Sequence, residues 1–227
     1  MKKLPVFLFP LVTTLIMSCI RDGGHTGLAS GRIDYKITYL NNNLDNKTLE
    51  ILPKHMNLFF NEKQAINNIE GFMGFYKLDA ITNFHSRKCS TMLKVFDKNY
   101  LFTGKRDEMM CCFDSMDGME IRETTETKDI AGFKCQKAEV FLPSTRQTFN
   151  IYFTGDISLR HPNATNPYFK IEGVLMEFEL NLLDLKMRFT AEKFQPLAET
   201  SEIINLPKNI RTISRDQMTE ILNKLME

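Results

Sequence analysis

The chain has 227 residues, with 29 Lys and Arg against 28 Asp and Glu and a formal net charge of +1. That balance gives no electrostatic footprint for nucleic acid, and the length suits one domain with a real core. Tryptophan is absent while Phe (18) and Met (13) are plentiful, residue types that fill cores and also suit pockets adapting to varied apolar ligands.

The first element is "MKKLPVFLFPLVTTLIMSCI". Leu4–Met17 carries no charge, yet a spanning helix needs about 20 apolar residues, and Pro5 and Pro10 break a helix of this kind. A charged start, a short apolar centre and a small residue before the cut make a secretory signal over residues 1–18. "IMSC" resembles the lipobox of bacterial lipoproteins, which implies lipidation of Cys19 and a membrane partner reached through it. Several acyl chains at ~0.8 kcal/mol per buried CH2 anchor firmly. Ile20, not Asp, follows Cys19, so the expected home is the outer membrane of a bacterial envelope, facing the periplasm or the surface. Loss of Lys2 and Lys3 with the signal leaves 27 basic against 28 acidic residues.

Residues 19–31 are glycine-rich and read as a flexible tether. A single domain over 32–227 follows. Ile33, Tyr35, Ile37 and Tyr39 alternate with polar residues, predicting a half-buried strand. "LNNNLDNK" is turn chemistry, and Met56, Leu58 and Phe60 alternate again. Ile66, Ile69, Met73, Tyr76, Ala80 and Phe84 recur at three- and four-residue steps, which predicts an amphipathic helix over 64–86, with Gly71 and Gly74 weighing against it. Strands are expected at "STMLKVFD", "YLFTGK" and "EMMCCFDS", with an Asp-Gly turn at "MDGME". "EIRETTETK" is polar on both sides and reads as an edge strand. "DIAG" turns into "FKCQKAEVFLP", and Phe149, Ile151 and Phe153 form a further strand before a long loop.

The clearest hairpin is "LMEFELNLLDLKMRFTAEKF". Met176, Phe178 and Leu180 are apolar at even positions, and Leu185, Met187, Phe189 and Ala191 at odd ones. One inversion at 181–184 requires a turn or bulge there. At the C-terminus Ser214 and Gln217 make a capping box, with Met218, Ile221, Leu222 and Leu225 as an apolar stripe. Eight to ten strands and two helices give the fold class: α+β, a large curved antiparallel sheet or half-barrel, with one helix in the first third and one at the C-terminus packed on it.

The stretch "KDIAGFKCQKAEVFL…TFNIYFTGDI…NPYFKIEGVLMEFEL" resembles a Bacteroidetes envelope family named for a Gly-Leu-Pro-Gly-Leu-Ile motif. Ile130, Ala131, Gly132, Phe133, Cys135 and Ala138 match its first element; Thr154, Asp156 and Ile157 its second; Gly173, Val174, Leu175 and Glu177 the end of its third. The motif core departs, reading Ile171-Glu172-Gly173. The resemblance implies an architecture like the LolA and LolB lipoprotein carriers, a curved half-barrel plugged by helices, in which an apolar ligand can sit.

Chemistry is sparse. His25, His55, His85 and His161 sit beside no recognisable nucleophile pattern, and no metalloprotease, phosphate-loop or dinucleotide signature is present. The chain reads as non-catalytic and without a cofactor. Beyond Cys19, four cysteines allow three complete pairings; a Cys89–Cys135 bridge, no bridge and two bridges all stay open. A thiol or metal site would need three of His85, Cys89, Cys111, Cys112 and Cys135 to converge. The favoured reading is an apolar cavity of several hundred Å3 lined by Met56, Leu58, Phe60, Met73, Tyr76, Phe178, Leu180, Met187 and Phe189, holding a lipid or acyl chain. The rival is an envelope protein partner, served by a filled core and an exposed apolar patch or strand edge.

Overall fold

The structure, a computed structural model, describes residues 28–41, 43–86, 88–105, 112–198 and 207–226. The signal, Cys19, most of the tether, Cys111 and the start of "EMMCCFDS" lie outside the described residues.

Alternating apolar residues pack into strands because one face of each must leave water. They build β1 (Gly31–Tyr39), β2 (His55–Phe60), β3 (Gln64–Glu70), β4 (Tyr76–Asn83), β5 (Lys88–Val95) and β6 (Lys98–Lys105). After them come β7 (Glu120–Ile130), β8 (Phe133–Leu142), β9 (Gln147–Thr154), β10 (Val174–Leu182), β11 (Leu185–Pro196) and the two-residue β12 (Arg211–Thr212). All join one open, curved sheet in the order β12-β6-β5-β4-β3-β2-β1-β11-β10-β9-β8-β7. Two sequential meanders, β1–β6 and β7–β11, are fused along β1 and β11, from Gly31 opposite Pro196 to Tyr39 opposite Met187. Pairing is antiparallel except for β12 on β6. The expected fold class holds, including a helix in the first third, α1 (Asn46–Ile51), and a C-terminal helix, α2 (Arg215–Met226).

The position of the first helix is a correction. Residues 64–86 are not helical. They form the β3–β4 hairpin around a one-turn 3-10 helix, Phe72–Gly74. Helical spacing arises because both faces bury apolar groups there. Ile69 packs against the main core, while Ile66 and Ile81 are buried in a separate cluster with Met92. Gly71 and Gly74 serve the turn: a Cβ on Gly71 would meet the Tyr76 ring at 2.1 Å, and Gly74 sits at φ +72°. The short α1 occupies a stretch with turn chemistry, capped by Asp45, whose carboxylate accepts from the Thr48 amide. A second correction concerns "EMMCCFDS": its described part is no strand. Cys112 has a φ of 78°, and Asp114–Met116 is a 3-10 turn that buries Met116.

Other local expectations hold. Ala131 and Gly132 both adopt positive φ at the β7–β8 turn, β7 is an edge strand, and β10 meets β11 through Leu183-Asp184, with Leu182 opposite Leu185. The Ser214 amide donates to Gln217 Oε1 at 3.0 Å and the Gln217 amide to Ser214 Oγ at 3.2 Å. Met218 and Leu222 of α2 then pack on Leu93 and beside Leu182 and Leu183. Because the cap satisfies two helix-end donors, Ser214→Ala should cost about 1 kcal/mol, read as a lower urea midpoint at unchanged slope.

Candidate functional site

The concave face is floored by β1, β2 and β8–β11. Its centre is aromatic: the Phe178 and Phe189 rings stack at 5.0 Å and 10°, and Tyr35 and Tyr168 meet Phe178 edge-on. Among the described residues no α-helix plugs this part of the face, though the 3-10 turn Asp114–Met116 sets Met116 against β10. The loop 155–173 plugs it instead, burying Ile157, Leu159, Tyr168 and Ile171. Asn163 fixes the loop, donating through its amide nitrogen to the Ile171 carbonyl at 2.8 Å and the Gly173 carbonyl at 3.0 Å. Tyr168 also donates to the Glu179 carbonyl. Gly173 lets the loop rejoin β10, since a Cβ there would lie 2.8 Å from the Thr154 carbonyl oxygen.

Between this plug and the sheet lies a hollow of about 70 Å3, against the several hundred expected. It is bounded by Met56, Ile69, Leu78, Leu180, Leu182 and Met187, with Phe178 and Phe189 at its base. Ala80 of β4 narrows it, and Phe113, Thr165 and Asn166 close it from the loops. None of the lining side chains titrates. The polar ones, Asn67, Thr165 and Asn166, supply an amide–hydroxyl contact, Asn67 Nδ2 to Thr165 Oγ1 at 3.5 Å. Such a surface can hold an apolar group and orient it weakly.

Of the residues singled out by sequence, Met56, Phe178, Leu180, Met187 and Phe189 come together around the hollow. Leu58 lines a separate narrow crevice beneath Pro162. Phe60 is buried in the main core, stacked on Phe194 at 6.5 Å. Met73 points to solvent at 78 % exposure. Tyr76 covers Gly71, and partial burial raises its hydroxyl to about 12. Neither Met73 nor Tyr76 lines the hollow. Ile69, Leu78 and Ala80 escape a sequence reading as lining residues because their spacing mimics a helix. The alternation of Ala65, Asn67 and Ile69, with a Gly-containing turn after it, is the signal that could find them. Phe113, Thr165 and Asn166 are brought there by loops and leave no periodic trace.

Cys89, Cys112 and Cys135 are each buried. Burial pushes the Cys135 thiol up to about 11. His85 and Cys89 share no helix: His85 lies in the turn after β4, and Cys89 is on β5. Among the described residues no three His, Cys, Asp or Glu side chains converge as metal ligands.

Burial also holds the Tyr35 and Tyr168 hydroxyls far above the usual phenol range, with the charges of Cys135 and Glu179 adding to it respectively. Both stay neutral in the fold while unfolded tyrosines ionise near pH ~10. Their contribution to stability is therefore complete below about pH 10 and is lost as pH rises above it toward the folded values. The urea midpoint should hold steady from pH ~7 to ~9 and drop beyond ~10, less steeply in Tyr168→Phe.

No family model matches the chain, and no curated protein does. The family resemblance in residues 128–180 therefore gains no support from that quarter, although its residues share a structural task. Ile130–Phe133 make the β7–β8 turn, and Thr154 and Gly173 hold the two ends of the plugging loop together. Among solved structures, PNGF-II is similar at TM-score 0.56 and 14% identity, over 86% of this chain and 33% of that one. This chain thus spans about a third of PNGF-II, and the likeness is one of fold. LprF from Mycobacterium bovis aligns over 78% of this chain and 92% of its own at TM-score 0.27 and 10% identity, too slight to carry an inference.

Proposed function

We propose that this chain is a non-catalytic, lipid-anchored protein of the bacterial envelope that holds one slender hydrophobic ligand, an acyl chain, on the concave face of its sheet. The observation that carries the reading is the apolar, non-titrating hollow between Met56, Leu180, Met187 and the plugging loop. Its volume matches about two water molecules, so it is the starting point of a binding channel rather than a finished one. Met56 and Met187 are unbranched and re-pack readily. A chain enters as they rotate and as Phe113 and the Thr165–Asn166 segment withdraw.

Ala80→Leu tests this directly. The added carbons fill the hollow, so affinity for a fluorescent fatty acid should fall about tenfold or more, while the melting temperature holds or rises because a void is filled. Unchanged affinity would overturn the reading. The anchor has its own test: radiolabelled palmitate should enter the native protein and be lost in Cys19→Ala.

A second reading, a subunit of an envelope assembly, is favoured by β7. Among the described residues, its eleven positions leave one whole side of the strand without a partner strand. Cross-linking in intact cells through Thr125→Cys should capture a neighbour if this edge is an interface.

A further inference from the structure

Two hairpin turns at one end of the sheet carry aromatic groups that the fold keeps out of its core. Phe72 (50 % exposed), Met73 (78 %) and Phe75 (49 %) stand on the β3–β4 turn, and Phe96 (64 %) on the β5–β6 turn. They form one tip. The Phe96 amide donates to the Phe75 carbonyl at 2.8 Å, and Phe75 lies 5.5 Å from Phe96 and 6.5 Å from Phe72, ring centre to ring centre. Met73 and Phe96 have φ of 51° and 52°, a conformation that Gly or Asn adopts at lower cost. Bulky apolar side chains at strained, solvent-facing positions detract from both solubility and stability, so a role outside the fold explains them better than packing does.

The surroundings point to the occupant. Lys77 and Lys94 face each other across β4 and β5, and Lys98 follows on β6. Asp79 takes up Lys77 at 3.2 Å, and Glu70 stands opposite it on β3; Asp97 lies in the β5–β6 turn, and Lys94 and Lys98 are the ammonium groups beside the tip. Apolar tips collared by lysines match the layering of a bilayer, where rings enter the acyl boundary and ammonium groups stay among phosphates. The tip is also a projection rather than a hollow. It therefore presents its rings to a yielding surface with no need for a matching pocket.

We infer that the Phe72–Phe75 and Phe96 turns are a membrane-docking tip that inserts shallowly into a phospholipid bilayer bearing anionic headgroups. The inference rests neither on the acyl-chain hollow nor on Cys19. By strand direction the tip lies at the opposite end of the sheet from Gly31, where the chain enters it.

The absence of tryptophan from the whole chain supplies a clean test. In full-length Phe96→Trp, the single indole should shift to the blue on vesicles of phosphatidylcholine and phosphatidylglycerol, and lipids brominated on their acyl chains should quench it. The reporter reads the tip itself, so a lipid anchor elsewhere does not produce the signal. Phe169→Trp, an exposed position on loop 155–173, should stay unshifted. Adding Phe72→Ser and Phe75→Ser to Phe96→Trp should reduce the quenching about tenfold, with an unchanged circular dichroism melt excluding misfolding. An unshifted indole in Phe96→Trp, or equal shifts in Phe96→Trp and Phe169→Trp, overturns the inference. Insensitivity to vesicles would direct the tip to a protein partner instead.

Discussion

Phe189→Ala is expected to lower stability by about 3–5 kcal/mol, roughly a 10 °C fall in melting temperature for a domain of this size. Phe189 is fully buried on β11, stacked on Phe178 and opposite Ile37 of β1. It therefore touches the strand that joins the two meanders. Its ring also backs the hollow, so truncation enlarges an existing void instead of letting neighbours collapse into it. Phe189→Leu keeps much of the volume and should cost less than half as much. Thermal melts by circular dichroism compare the two. Similar small losses for both would show that the face is loosely packed.

Asn163→Ala should cost about 2–4 kcal/mol, because it strands two buried carbonyls that the amide now satisfies. Asn163 is 3 % exposed and bridges Ile171 and Gly173, so the loss falls on loop 155–173 before it falls on the sheet. Backbone amides of that loop should lose hydrogen-exchange protection, and limited proteolysis should cut there first, while the strands of β2–β5 stay protected. The same change loosens one wall of the hollow. Fatty-acid association should therefore become faster in this variant if withdrawal of the plug limits entry.

These two sites differ in how far the sequence announces them. Phe189 belongs to a run whose alternation is one-sided, Met187, Phe189 and Ala191 inward with Arg188 outward, and such a run leaves one strand register open. The same one-sidedness makes β1 and the β10–β11 hairpin readable, and the capping box of α2 is legible because it is a local hydrogen-bond pattern. β3 and β4 resist because Ile66 and Ile81 are buried on one face and Ile69 packs on the other, so neither period dominates. Asn163 is beyond reach for a different reason. Its partners are close in sequence, but the need to bury that loop arises only once a curved sheet stands beneath it. The residues of the hollow divide the same way: those on β2, β10 and β11 are readable, and Phe113, Thr165 and Asn166 depend on where loops come to rest. The exposed aromatic turn at Phe72–Phe75 is hidden by the same false helical period, which gives Met73 and Tyr76 an inward role.

The seam between β1 and β11 sets a timetable. Residues 31–39 find their hydrogen-bonded neighbours at 187–196, so the earliest strand waits for nearly the last. The local pairings of each meander form without this seam, but closing so wide a loop makes the last step of folding slow. Any truncation before residue 187 therefore leaves two raw sheets, β1–β6 and β7–β10, where the whole chain has one.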